Sequence, residues 1–124
     1  MRLLTGDPTG AALDLEEALG LFRSLGDRGS EATALNHRAA VFLDTGEPAR
    51  ALALHREALQ LSRAVHKPDD EALALAGIGE CLLRQGEATN GVGHLRQALE
   101  IYRRLGMRAD LERIRTRLTE VEDS

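Results

Sequence analysis

The chain is nearly devoid of aromatic residues: one Tyr, two Phe and no Trp in 124 residues. Its apolar fraction is nonetheless 43%, so a core must be packed from Leu, Ala, Val and Ile. That palette suits closely crossed helices better than sheets, which favour aromatic side chains. Cysteine occurs once, as Cys81, which excludes an internal disulfide and fits a reducing, cytoplasmic setting. Long apolar runs are missing, and none approaches the roughly 20 residues of a membrane span. Nor does the start resemble a signal peptide, because Met1–Leu4 is followed at once by Thr5-Gly6-Asp7-Pro8. Lysine is reduced to Lys67 among 16 basic residues, and the richness in Arg, Ala, Leu and Gly looks bacterial.

An excess of positive charge is lacking too. Sixteen basic residues against 20 acidic ones give a formal charge of −4, whereas phosphate binding needs clustered cations. Arg103, Arg104, Arg108, Arg113, Arg115 and Arg117 form a local run. It is interleaved with Asp110, Glu112, Glu120 and Glu122, the pattern of a solvated helix face. No nucleic-acid partner is expected, and no membrane partner.

Catalytic constellations are equally scarce. His37, His55, His66 and His94 are never four residues from one another or from Cys81, so a helical metal pair is absent. The expectation is exposed or half-buried structural histidines, a buried inert thiol, no metal and no cofactor. Gly77-Ile78-Gly79 and Gly91-Val92-Gly93 lack the third glycine of a phosphate loop and read as close-packing sites. Glu16-Glu17 and Asp69-Asp70 fall at expected helix starts or outer faces. The chain does not read as an enzyme.

What the sequence does have is a repeat. Gly6, Gly46 and Gly86 lie 40 residues apart, and Ala18-Leu19, Ala58-Leu59 and Ala98-Leu99 keep the same step. So do Leu21, Leu61 and Ile101, and Gly26 and Gly106 with His66 between them. Each period holds two helical stretches. The first runs from about Ser30 to Thr45 and again from Asp70 to Gln85, with Leu35, Ala39 and Phe42 recurring as Leu75, Gly79 and Leu82 on one face. The second runs over 8–25, 48–65 and 88–105. Pro8 and Pro48 suit its first turn, Asp7 is a plausible N-cap, and Gly6, Gly46 and Gly86 close the preceding helix. Pro68 with Asp69 and Asp70 marks a stop and a new start. Small residues recur where helices must cross: Ala39 and Gly79 on the first type, Ala11, Ala51 and Gly91 on the second, then Ala18, Ala58 and Ala98. A large side chain at such a place would force the pair apart.

The order Leu35, Ala39, Phe42, Gly46, Ala51, Ala58, repeated as Leu75, Gly79, Leu82, Gly86, Gly91, Ala98, resembles the tetratricopeptide repeat (TPR) family. Ile78 also fits the family pattern, whereas Arg38 stands where it places a large apolar residue. The period of 40 exceeds the usual repeat of about 34 residues, so helices or the inter-repeat turn are extended. Longer variants of this kind occur in kinesin light chains and large bacterial transcriptional regulators. The resemblance implies an all-α fold, antiparallel hairpins stacked in a right-handed solenoid, and a function in protein–protein interaction within a bacterial signalling regulator. The expected organisation is a single TPR domain over 1–124: a partial repeat 1–26, repeats 30–66 and 70–106, and a terminal helix 109–121. Arg2-Leu3-Leu4-Thr5-Gly6 falls in register with Phe42–Gly46, which suggests a fragment of a longer protein or a chain completed by dimerising.

By the same resemblance, first-type helices line a concave groove for a protein or peptide. The expected groove residues are Thr33, Asn36, Ala40, Leu43 and Asp44, then Leu73, Ala76, Glu80, Leu83 and Arg84, with Arg113, Thr116 and Glu120 on the last helix. Leu43, Leu73 and Leu83 would form an apolar stripe unless neighbouring helices cover them, with Asn36, Arg84 and Arg113 as polar anchors. The family's Lys and Asn clamp for a C-terminal carboxylate is not matched. An alternative is homodimerisation through the face Leu13, Leu15, Leu19 and Phe22. A nucleic-acid accessory role for the Arg103–Arg117 run is the remaining alternative.

Overall fold

Six helices follow one another in the computed structural model, which describes residues 8–123, with side chains from Asp14 onward. They are α1 (Pro8–Leu25), α2 (Arg28–Asp44), α3 (Pro48–Ala64), α4 (Pro68–Arg84), α5 (Ala88–Leu105) and α6 (Arg108–Glu122). No strand occurs among the described residues. Each helix packs mainly on the next, and α2 also meets α4. The result is an all-α solenoid of antiparallel hairpins. Gly6 and Asp7, assigned cap roles above, lie outside the described residues, as does the side chain of Leu13.

All five turns are built alike. After α2 the Gly46 N–H donates to Leu43 O at 3.1 Å and the Glu47 N–H to Phe42 O at 2.9 Å, the paired closure of a left-handed helix stop. The pattern recurs at Gly26, His66, Gly86 and Gly106, all with positive φ. These stops fall every 20 residues, so the two halves of a period are equivalent helix–turn units. The 40-residue period therefore comes from long helices, 17 or 18 residues in α1 to α5, and not from an extended turn. His66 alone holds the stop with a side chain, at φ 56°.

Helix starts fall slightly earlier than the sequence suggested. In α2 the Asp27 carboxylate accepts from the Ser30 N–H at 3.1 Å and the Ser30 hydroxyl at 2.7 Å, a side-chain cap that admits Arg28 to the helix. In α4 Pro68 occupies the first turn, as Pro48 does in α3, where a missing N–H is tolerated. Asp70 then falls inside the first turn, at the helix start the sequence suggested, and is buried there.

The core runs continuously through the stack. Ala32, Leu35, Ala58 and Leu61 pack with Leu19 and Ala74; Ala39, Phe42, Ala51 and Leu52 with Ile78, Cys81 and Leu82; Ala72 and Leu75 with Leu95, Ala98, Ile101 and Tyr102. Of the residues expected at helix crossings, Ala39, Ala51, Ala58, Gly79, Gly91 and Ala98 are buried and Ala18 is half-buried, while the side chain of Ala11 lies outside those described. The two ends differ. On α6 the positions equivalent to Leu35, Ala39 and Phe42 are Arg115, Thr119 and Glu122, all exposed, so its outer face is polar. On α1, Leu21 is 58% and Leu25 69% exposed, whereas Leu61, the equivalent of Leu21, is 9% exposed. No first-type helix precedes α1 among the described residues.

Candidate partner-binding groove

Helices α2, α4 and α6 stand side by side and form the wall of a cleft of about 650 Å³, within the usual range of ligand-binding pockets. Its lining is Asn36, His37, Ala40, Leu43 and Asp44 from α2; Leu73, Ala76, Gly77 and Glu80 from α4; and Arg113, Ile114, Thr116, Arg117 and Glu120 from α6. Two residues reach it from the second-type helices, His55 of α3 and Leu95 of α5. On each first-type helix the lining positions recur at spacings of three and four, so one face meets the cleft and the neighbouring face (Leu35, Ala39, Phe42) meets the core.

The structure brings most of the sequence-selected groove residues together and leaves three outside. Thr33 is engaged between helices: its Oγ1 donates to Asp70 Oδ2 at 2.7 Å and accepts from Lys67 Nζ at 2.6 Å. Leu83 turns toward α5, where its side chain fills the space beside Gly91. It lies four residues beyond Gly79 and so shares the face that meets α5. Arg84 donates to the Leu43 carbonyl at 2.9 Å and satisfies the end of α2. Asn36 lines the cleft but is 1% exposed, and its amide is saturated by Asp70 and His55. Asn36 is therefore not a free polar anchor, whereas Arg84 is exposed, spends one N–H on α2 and lies outside the cleft lining.

Charge in the cleft is largely paired. Arg117 Nε donates to Glu80 at 2.6 Å, and its guanidinium lies 3.5 Å from Glu120. Arg113 is held by Asp110 at 3.0 Å. Asp44 is exposed and makes no ion pair or hydrogen bond among the described residues. The cleft thus has an apolar floor of Leu43, Leu73, Ala76, Leu95 and Ile114, a zipped pair of arginines on one side and a free carboxylate at one end.

Beneath the cleft lies a polar chain that sequence reasoning missed. Lys67 Nζ is 2.8 Å from Asp70 Oδ2, Asn36 Nδ2 donates to Asp70 O at 3.1 Å, and Asn36 Oδ1 is 2.8 Å from His55 Nδ1. His55 is 3% exposed and so departs from the expectation of exposed or half-buried histidines, which His37, His66 and His94 follow. Burial lowers its pKa to about 4, so the imidazole is neutral at physiological pH. Burial also raises the Asp70 carboxyl, but the hydrogen bonds from Lys67, Thr33 and Asn36 outweigh it and leave the group below its ordinary value. The one signal in the sequence was Gly77, the small member of the series His37, Gly77, Arg117.

Cys81 is buried and desolvation pushes its thiol up to about 11, unsuited to nucleophilic attack. Among the described residues no group of three or more His, Cys, Asp and Glu is placed to hold a metal. No helix among them is long and apolar enough to cross a membrane.

The self-association face is also altered. Leu19 is 1% exposed and packed under α2 with Leu35 and Ala32, and Phe22 is half-buried beside it. Leu15 is likewise half-buried and lines a shallow pocket with Phe22 against α2; among the described side chains of α1 the exposed leucines are Leu21 and Leu25.

The family model described as tetratricopeptide repeat matches residues 30–104, more than half of the chain. The chain belongs to this family. Among curated proteins no match is found. TPR units are non-catalytic repeats that mediate protein–protein interaction, and the cleft of this TPR stack is walled by α2, α4 and α6.

Proposed function

We propose that the cleft between α2, α4 and α6 holds a segment of another protein, and that the chain acts as a peptide-binding module. The observation that carries this reading is the cleft itself: an apolar floor spanning three helices, bordered by polar side chains and large enough for several side chains of a guest. We further propose a single TPR unit over 1–124, serving in the cytoplasm as the sensory or assembly part of a larger bacterial regulator. That assignment rests on the resemblance of its long repeats alone.

The test uses a displayed library of twelve-residue peptides panned on the protein. Binders should lose affinity for Ala40→Trp, which fills the cleft from an exposed position, and keep it for Gln60→Trp on the outer side of α3. Binders indifferent to Ala40→Trp would refute the groove reading.

Homodimerisation remains the second reading, favoured by the exposure of Leu21 and Leu25. Sedimentation separates the two: a concentration-independent monomer excludes the dimer. A nucleic-acid role is disfavoured, because Arg103, Arg113, Arg115 and Arg117 are each paired with a carboxylate.

A further inference from the structure

The floor of the cleft contains a side chain that belongs to the outer layer of helices. His55 lies on α3, yet its imidazole occupies the space where a side chain at position 77 would stand, since a Cβ built on Gly77 would overlap the ring. The equivalent positions on α2 and α6 carry His37 and Arg117. The missing side chain on α4 makes room for the His55 ring, while its counterpart Leu95 on α5 reaches the cleft one repeat on.

The hydrogen-bond chain beneath the ring fixes which nitrogen carries the proton. Asn36 Nδ2 donates to the Asp70 carbonyl at 3.1 Å and to its carboxylate at 3.4 Å. The amide orientation is thereby set, and Asn36 Oδ1 is the acceptor facing His55 Nδ1 at 2.8 Å. Nδ1 must donate. A neutral imidazole has one N–H, so Nε2 keeps its lone pair, on the edge of the ring turned to Gly77 and the cleft. The Lys67 ammonium and the Thr33 hydroxyl, both on Asp70 Oδ2, hold the far end of the chain.

We propose that His55 Nε2 is a hydrogen-bond acceptor subsite in the groove, and that the guest is a basic, partly apolar segment with a donor side chain at that point. This rests on the groove reading above. The apolar part of the guest is set by Leu73, Ala76 and Ile114, the donor by Nε2, and the basic character by charge. Arg113 and Arg117 are already paired, whereas the exposed Asp44 carboxylate has no partner among the described residues and can meet a cation. An acidic guest would find no free cation in the lining, and a guest lacking a donor would leave Nε2 desolvated and unpaired.

Two measurements test the proposal. Long-range proton–nitrogen NMR of the labelled histidines at pH 7 should show His55 protonated at Nδ1 and bare at Nε2; an Nε2–H tautomer overturns the idea. The second uses peptides from the displayed library that depend on Ala40. They should share a basic residue and a donor beside apolar ones, and adding one should move the His55 Nε2 resonance upfield. Their affinity for His55→Phe should fall roughly three- to tenfold, the range of one hydrogen bond, with the fold of the variant checked by circular dichroism. If Ala40-dependent peptides leave Nε2 unmoved, the subsite is refuted while the groove reading stands. If no peptide depends on Ala40, both fail.

Discussion

Gly79 and Gly91 meet backbone to backbone, and a Cβ on either would lie 2.9 Å from the carbonyl oxygen of the other. This is the closest form of the small-residue notch on which hairpin stacking depends. Gly93, two residues along α5, has open space around it. Gly91→Ala should therefore lower stability by about 1–3 kcal/mol through overpacking, despite the better helix propensity of Ala. Gly93→Ala should raise it by roughly 0.5–1 kcal/mol. Urea unfolding of the pair decides the matter: two equally stabilised variants would mean that α4 and α5 do not cross there.

Arg38 occupies a position where the family places a large apolar residue. Its stem is largely buried, and Nε is buried without a hydrogen-bond partner among the described residues. The guanidinium reaches Glu16 at 3.7 Å and lies 5.5 Å from the Phe42 ring, which Arg50 also covers at 4.6 Å. A half-exposed pair contributes little, whereas an unpaired buried donor costs about 1–3 kcal/mol. Arg38→Met is expected to stabilise the protein by about 1 kcal/mol. A lower melting temperature for the variant would show that the ion pair and ring contact outweigh the buried Nε.

At the stop after α3, His66 adopts φ 56° where the equivalent turns use glycine. Left-handed backbone costs a side-chain-bearing residue roughly 1–2 kcal/mol. His66→Gly should recover about 1 kcal/mol of this, less the added freedom of the unfolded chain. Thermal melting of the two proteins tests it, and an unchanged or lower midpoint contradicts it.

Acid sensitivity follows from His55. Its pKa falls from 6.5 to about 4 on folding, because burial disfavours the charged ring. Between these values the unfolded chain binds a proton that the native chain refuses, so stability declines as pH falls through that window. The loss approaches about 3 kcal/mol at pH 4. Asp70, depressed in the folded state, adds a loss only below its ordinary 3.8. Urea midpoints for wild type should drop more steeply from pH 7 to pH 4.5 than those of His55→Phe. Parallel profiles would remove His55 as the cause.

The stack was legible in the sequence because its determinants are small residues at fixed steps: Ala39 with Gly79, Ala58 with Ala98, Gly46 with Gly86. Helix length was legible only as a period of 40; the turns at Gly26 and His66 show that the helices take up the extra residues. About half of the cleft follows from helix phase, since Asn36, Ala40 and Asp44 share a face with Leu73, Ala76 and Glu80 one repeat on. What could not be read were contacts between layers. Nothing local says that Asp70 rather than Asp69 turns inward, because its partners Thr33 and Asn36 are more than 30 residues away. His55 reaches the groove only because Gly77 has no side chain, a relation between two helices that no single-helix pattern contains. Leu19 is covered by α2, the helix that follows it, and that contact does not show in the pattern of α1 alone.

The most direct test of the groove as the working surface is chemical-shift mapping. One Ala40-dependent peptide is titrated into nitrogen-labelled protein, and backbone amide shifts are followed along the chain. The largest changes are expected on α2, α4 and α6, at Ala40, Leu73, Gly77 and Thr116. Shifts concentrated on the outer faces of α3 and α5, around Arg56 and Gln97, would contradict it.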